Sequence, residues 1–506
     1  EPETGQGTVT QTGGIVSLRD NGSLVIGQRG SGTYNLNGGV LEVGGSVYKN
    51  TTAGSSNWNL GGGTLRVIEK DFSTVLTPNL VAASSSTIDT NGFNAVFENG
   101  FTGTGAFGKI GSGDLELGGT TVLSGVSTVE GGNFVIGSAD AGSGTLELGA
   151  GSELNVDSVT GGFARIIVGG GGTGVMDISG GSVDLKYQDG NGATFRVGDQ
   201  GGDGTVNMTD GLVTVTEGSS GSYGVIVVGQ DAGSVGRFYQ SGGTINQNGM
   251  ANLQVGMWDG TGTFEMTNDA VFTQNGSGST NFFGHGDDGS ALIVFSDNAT
   301  FTQTADVQNF IALDGGTAVI TQDGAGTNVT WEGDTGASDR PFWVGLGEPG
   351  GMGTYNLSAG SLEFSDIQTS FGHEEGSVGI MNQSGGTLTV GGSNAAASPF
   401  VVGNEGDGTY NISAGEAFLD EGLKIASGSV SSGTVNQTGG TVTIGSGYQV
   451  SFGSGSGSYD LDGGTLKVGG TNGIQAGVGT TNFRLGGGTL LATADLSVGS
   501  GVSPNL

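Results

Sequence analysis

Gly-Thr-Tyr-Asn followed by Leu or Ile recurs in this chain, with the Thr-Tyr-Asn-apolar segment at 33–36, 354–357 and 409–412. Looser copies stand at 175–178, 205–208, 434–437 and 458–461. Each copy leads through a glycine-rich turn into a short apolar strand. A supersecondary unit repeated along 506 residues specifies a solenoid, in which each unit packs only on its neighbours.

The repeat resolves into three strands. Strand one reads apolar-x-Val/Ile-Gly, as at 24–27, 134–137, 166–169, 195–198, 226–229, 253–256, 342–345 and 400–403. Strand two is the Thr-Tyr-Asn-Leu type, and strand three follows Gly-Gly at 41–43, 65–67, 388–390, 442–444 and 466–468. Period-two alternation places Tyr34, Leu36, Leu41 and Val43 on one face and Thr33, Asn35 and Glu42 on the other. Positions Gln11, Leu36 and Leu60 are spaced by about 25 residues, as are Ile412, Gln437, Leu461 and Leu485. Between Gly137 and Gly403 the interval averages near 30, so loops there are longer. Three strands of about five residues fit such a unit. The expected fold is therefore all-β: a right-handed parallel β-helix solenoid, three strands per rung, of roughly 17–18 rungs and about 80 Å. A propeller would need four strands and about 40–50 residues per blade.

Residues 1–506 are read as a single solenoid, with an irregular stretch at 71–108, a distinct repeat at 109–137, longer-loop rungs at 138–403 and compact rungs at 404–506. Stacking should place aliphatic residues and Phe134, Phe195, Phe310, Phe342 and Phe400 inside. Outside, Asn35, Asn59, Asn207, Asn356, Asn382, Asn411 and Asn436 should form a ladder of amides bonded rung to rung.

Composition narrows the function. Acidic residues outnumber basic ones 48 to 14, for a net charge of −34. So few cations disfavour nucleic acid and anionic membrane surfaces as partners. No run reaches the roughly 18–20 apolar residues of a membrane helix, so no membrane insertion is expected. The chain has no cysteine and begins at Glu1 rather than Met. We read it as a mature chain from which an export signal has been removed.

One stretch carries a family resemblance. Lys109-Ile-Gly-Ser-Gly-Asp-Leu-Glu-Leu-Gly-Gly, followed by Ser127-Thr-Val-Glu-Gly-Gly-Asn-Phe-Val-Ile-Gly137, resembles the autotransporter-associated β-strand repeat. Lys109, Gly111, Gly113, Leu115, Leu117, Val129, Gly132, Phe134 and Gly137 fall where that pattern has Lys, Gly, Gly, Leu, Leu, Val, Gly, Leu and Gly. Thr121, Leu123 and Asp114 depart from it, and it covers about thirty residues in one copy. The resemblance implies the passenger of a secreted bacterial β-helix protein, exported across a Gram-negative-type outer membrane and located extracellularly or at the cell surface. That family's C-terminal membrane barrel has no counterpart before Leu506, which leaves the secretion route open.

No catalytic residue is assigned, and the chain is not expected to be an enzyme. His285, followed by Asp287 and Asp288, and His373, followed by Glu374 and Glu375, occupy the same turn after strand one. They stand about 14 Å apart at three rungs, too far to share one metal. Asp287, Asp288, Glu374 and Glu375 are candidate ligands for Ca²⁺, weighed against simple solvated turns, and no cofactor is otherwise implied. Asp140, Asp199, Asp203, Asp231, Asp259, Asp314, Glu348, Glu405 and Asp407 extend an acidic edge along the same turn. Three functions are weighed: a fibre or matrix subunit, an adhesin binding surface glycans through the long-loop face, and, last, a polysaccharide-degrading enzyme. The first implies a head-to-tail homopolymer, with the chain itself as partner. Its interface would comprise Thr8, Val9, Gln11, Ile15 and Leu18 at one end and Leu490, Leu496 and Val498 at the other, where a missing strand one meets a surplus one.

Overall fold

The computed structural model describes residues 5–50, 54–157, 163–186, 193–216, 224–276, 278–304, 307–333, 341–347, 350–392, 399–469, 473–493 and 504–505. The chain is an all-β parallel β-solenoid of about 16 turns, with three parallel sheets and, among the described residues, no helix. It divides into two compact units, Glu1–Tyr239 with Gly243–Ala251, and Gln240–Gly242 with Asn252–Leu506.

Within each unit the strand-one copies stack in register. In the first, Leu115 pairs with Phe134, Phe134 with Ile166, Ile166 with Phe195 and Phe195 with Ile226. In the second, the file runs Phe283, Ile311, Val344, Phe371, Val402, Ile425 and Phe452. Strand-one copies Leu24–Val25 and Val47–Tyr48 pair only with each other, as a separate two-stranded sheet. The turn count, about 16, is one or two below the 17–18 rungs expected from spacing. Strands two and three are more continuous than their sequence suggests. In Ser31–Val43, Ser432–Ile444 and Ser456–Val468 they form one strand through the Gly-Gly bend, where the register shifts.

The glycine that closes strand one has a geometric cause. At this corner φ lies in the left-handed region, +70° at Gly137 and +76° at Gly403. A Cβ at Gly403 would sit 2.2 Å from the carbonyl oxygen of Ser432 on the next coil. Glycine therefore serves both conformation and coil spacing. Ala312 and Ala426 hold the equivalent corner at φ +60° and +53°, where an L side chain is strained.

Alternation delivers the expected faces. Leu36, Leu41, Val43, Leu388 and Val390 are buried, while Asn35 and Thr389 between them are partly exposed. The Asn ladder forms: Asn59 donates to Asn35 at 2.7 Å and Asn79 to Asn59 at 3.0 Å. In the second unit Asn382 donates to Asn356, Asn411 to Asn382 and Asn436 to Asn411, at 2.8–2.9 Å. Asp460 takes the next place, where it accepts from Arg484 Nε at 2.9 Å.

Inside the coils lies a polar device. Gln11, Gln322, Gln383 and Gln437 occupy the buried strand-two slot that Leu36 fills elsewhere. Each accepts the hydroxyl of a tyrosine on the next coil, Tyr34, Tyr355, Tyr410 and Tyr459 respectively, at 2.5–2.9 Å. Each donates through Nε2 to a strand-three carbonyl of that coil, at Val40, Ser361, Glu416 and Thr465. Burial raises the pKa of all four tyrosine hydroxyls. They stay protonated donors at physiological pH, so the buried amides are satisfied.

Two expectations are corrected. Residues 71–108 are not irregular: Ala95 pairs with Phe72 and Leu115 with Ala95, making coils of 23 and 20 residues. They lack the Thr-Tyr-Asn signature because Trp58, Phe72, Phe97, Phe101, Phe107 and Phe134 fill this part of the core with a chain of ring contacts. Phe310 is not inside. Asn309 pairs with Phe342 and Phe310 with Trp343, so Phe310 points outward from strand one. A one-residue offset inverts facing in a period-two strand. Several insertions of the expected long-loop face, at 158–162, 187–192, 217–223, 334–340 and 393–398, lie outside the described residues.

Candidate functional site

The residues singled out in sequence do not come together. Among the described residues, no group of three or more His, Cys, Asp or Glu is placed to hold a metal ion. Asp287 and Asp288 are exposed, and the Asp288 amide donates to Asp259 at 3.1 Å. Glu374 accepts the Gly347 amide at 2.6 Å, while Glu375 is exposed. His285 Nε2 lies 3.2 Å from Asp314.

The acidic edge is also broken. Asp199 is fully buried and paired with Arg196 at 2.9 Å, so it is an internal ion-pair partner rather than a surface charge. Burial, followed by a hydrogen bond to Asp199, raises the Asp231 carboxyl. Arg237 pairs with Asp203. Of the assembly residues, Val9 and Ile15 are 54% and 66% exposed on Gln6–Leu18, and Thr8 is exposed beside them. Leu18 and Leu490 are half-buried. Gln11 is instead buried and occupied by Tyr34 and Val40. Leu496 and Val498 of the proposed interface, and Glu348 of the acidic edge, lie outside the described residues.

A groove does form in the second unit, on the outer face of strand one. Phe282, Phe310 and Trp343 follow one another in register there, with ring centres 5.7 and 5.8 Å apart. His373, just past the glycine corner, lies flat on Trp343 at 3.7 Å and 12°. The outward residues of the next coils are Ser370, Val401 and Lys424. A large residue, two small ones and a long one produce a trough whose floor runs Trp343, Ser370, Val401, Lys424. One wall is made by His373, Asn404 and Ser427, and the other by Gln368 and Pro399. The volume is about 290 Å³, close to the roughly 300 Å³ at which small-ligand clefts begin.

Electrostatics distinguish this trough. Among the described residues no carboxylate lines it, in a chain of net charge −34. Among the described residues Lys424 makes no ion pair. Burial pushes His373 down to about 4, so the ring is neutral at physiological pH. Its Nδ1 lies 2.7 Å from Ser370 Oγ and 3.4 Å from Asn404 Nδ2, a pairing that places the ring proton on Nε2. Ser370 is only 3% exposed, which fixes the imidazole from below. Trp343 Nε1 and His373 Nε2 have no partner among the described residues. The trough thus offers donors to a ligand.

A smaller cleft in the first unit has the opposite character. It measures about 130 Å³ and is lined by Asp114, Glu116 and Asp140. Burial, opposed by a hydrogen bond from Ser138, raises the Glu116 carboxyl. A raised acid beside other acids is a feature of acid–base sites. Here, however, Asp114 is held by coil-to-coil bonds, accepting the Asn133 amide at 3.0 Å and donating its own amide to Asn94 at 3.0 Å. Lys109, the first residue of the resemblance, is also structural. It is fully buried and donates to the carbonyls of Gly111 and Gly131 at 2.9 and 2.6 Å.

Sequence reasoning singled out His373 for its acidic neighbours and missed its role beside Trp343. The usable signal was a large aromatic at the outward position of strand one, repeated at Phe282, Phe310 and Trp343. No helix among the described residues is long and apolar enough to cross a membrane. No family model matches the chain, and no curated protein matches it either, so the fold and this trough stand on their own geometry.

Proposed function

We propose that this chain is an extracellular structural protein, a subunit of a fibre or matrix. The observation that supports the reading is the continuity of the side-chain ladders. Asn-to-Asn bonds repeat from coil to coil in each unit, and Gln-Tyr-carbonyl bridges recur at Gln322, Gln383 and Gln437 in the second, with one at Gln11 in the first. Where they run, such ladders resist shear between coils, because those coils are bonded through side chains as well as backbone. A coil of this kind presents the same N–H, C=O and amide pattern above and below, so a second copy is the partner it fits. The resemblance around Lys109–Gly137 supports export of an autotransporter-like passenger. Negative-stain microscopy of the purified chain at micromolar concentration tests the assembly: filaments are expected, and single particles at every concentration would sink it.

A second reading, an adhesin for surface glycans, is favoured by the aromatic file Phe282, Phe310 and Trp343 and the trough at its end. Polyhydroxylated ligands need hydrogen-bonding walls and an apolar contact, and this trough has both. A glycan array probed with the full chain tests it. Saturable binding is expected, and a blank array removes the reading.

A further inference from the structure

We propose that the trough from Trp343 to Lys424 binds an acidic saccharide, a short uronate oligomer whose carboxylate pairs with Lys424; this rests on the adhesin reading. The length of the floor fits. Four successive outward positions span three coil spacings, about 14 Å, which is the reach of a short oligosaccharide rather than a lone ion. The chemistry of the lining fits as well. Lys424 is a half-buried cation without an ion pair among the described residues. Trp343 Nε1 and His373 Nε2 add neutral donors at the other end.

One face of the indole is already covered by the stacked His373 ring and Phe310 touches it as well, so the ligand meets its edge. Val401 and Pro399 supply the apolar strip for the C–H face of a sugar, and Asn404 and Ser427 face its hydroxyls. A neutral saccharide would leave Lys424 unpaired, and a bare anion would leave the apolar strip and the walls unused. The acidity of the rest of the chain sharpens selectivity. With net charge −34, an anionic ligand is repelled over most of the surface and is best received where a cation faces a cleft with no carboxylate among its described lining residues.

The test is isothermal titration of the full chain with digalacturonate, with neutral digalactose and inorganic phosphate as controls. Two variants accompany it: Lys424→Gln, which removes the charge, and Val401→Trp, which fills the floor. Thermal melts confirm that both remain folded. The expected result is saturable digalacturonate binding, at least tenfold weaker for digalactose and phosphate. Lys424→Gln should lose at least tenfold and Val401→Trp should lose binding. If phosphate binds as tightly as digalacturonate, the trough is an anion site and the saccharide assignment is overturned. If the array shows glycan binding that neither variant alters, the adhesin reading stands and this site fails. If neither digalacturonate nor any arrayed glycan binds, both fail.

Discussion

At the scale of single residues, burial rather than sequence neighbourhood decides what a charged group does. Glu116 is 7% exposed, and its carboxyl is raised mainly by desolvation. Below the unfolded value both states are protonated and the buried position is harmless. As pH rises through the folded value, the folded chain must ionise a buried acid, and stability is lost. Glu116→Gln keeps the acceptor for Ser138 and removes that burden. It should therefore raise the Tm at pH 7, with the advantage fading by about pH 4; equal gains at both pH values would contradict the account. His373 runs the other way. Its folded value, about 4, lies below that of an exposed imidazole. Acid therefore protonates the unfolded chain first, and stability falls as pH drops from about 6.5 towards 4. A protonated ring over Trp343 would gain some cation–π attraction, which softens this loss.

Among elements, the coils are held together by side-chain bridges that hydrophobic patterning alone would not suggest. Gln383 accepts from Tyr410 at 2.5 Å and donates to the Glu416 carbonyl at 2.9 Å. Gln383→Leu fills the slot with an apolar side chain but strands a buried hydroxyl and a buried carbonyl. The expected loss is about 2–4 kcal/mol in urea unfolding. Adding Tyr410→Phe removes one of the stranded groups and should recover about 1 kcal/mol relative to simple addition. Strict additivity of the two changes would show that the bridge carries no coupling. The pattern was present in the sequence, since each of Tyr34, Tyr355, Tyr410 and Tyr459 lies one coil after a glutamine in the apolar slot. Read one coil at a time, those glutamines look like polar interruptions of a leucine position.

For the molecule as a whole, net charge governs the response to solution conditions. With 48 acidic and 14 basic residues, self-repulsion opposes the compact state, and screening relieves it. Raising NaCl from 0.05 to 0.5 M should lift the Tm by about 2–5 °C, an order-of-magnitude expectation from screened surface charges. Millimolar Ca²⁺ should add little beyond its ionic strength, because among the described residues Asp287, Asp288, Glu374 and Glu375 do not converge with other acids on one point. A Ca²⁺-specific rise of more than about ten degrees would reinstate a dedicated site.

Sequence by itself determined the solenoid, its three-strand coil, the glycine corner and the Asn ladder. All of these follow from local rules repeated at a fixed interval: period-two facing, a left-handed φ that suits glycine, and identical residues stacking on themselves. What stacking brings together from different coils was decided only by tertiary structure. Phe310 was assigned to the core because its neighbours resemble a strand-one motif, and a one-residue register offset turned it outward. Residues 71–108 lost the signature yet kept the coil, because aromatic packing replaced the tyrosine pattern. The trough depends on the order of side-chain sizes at one outward position across four coils, Trp343, Ser370, Val401 and Lys424, whose spacing in sequence is uneven. A groove is a difference in height between neighbours, and those neighbours are defined by register across loops of unequal length, which no local pattern fixes.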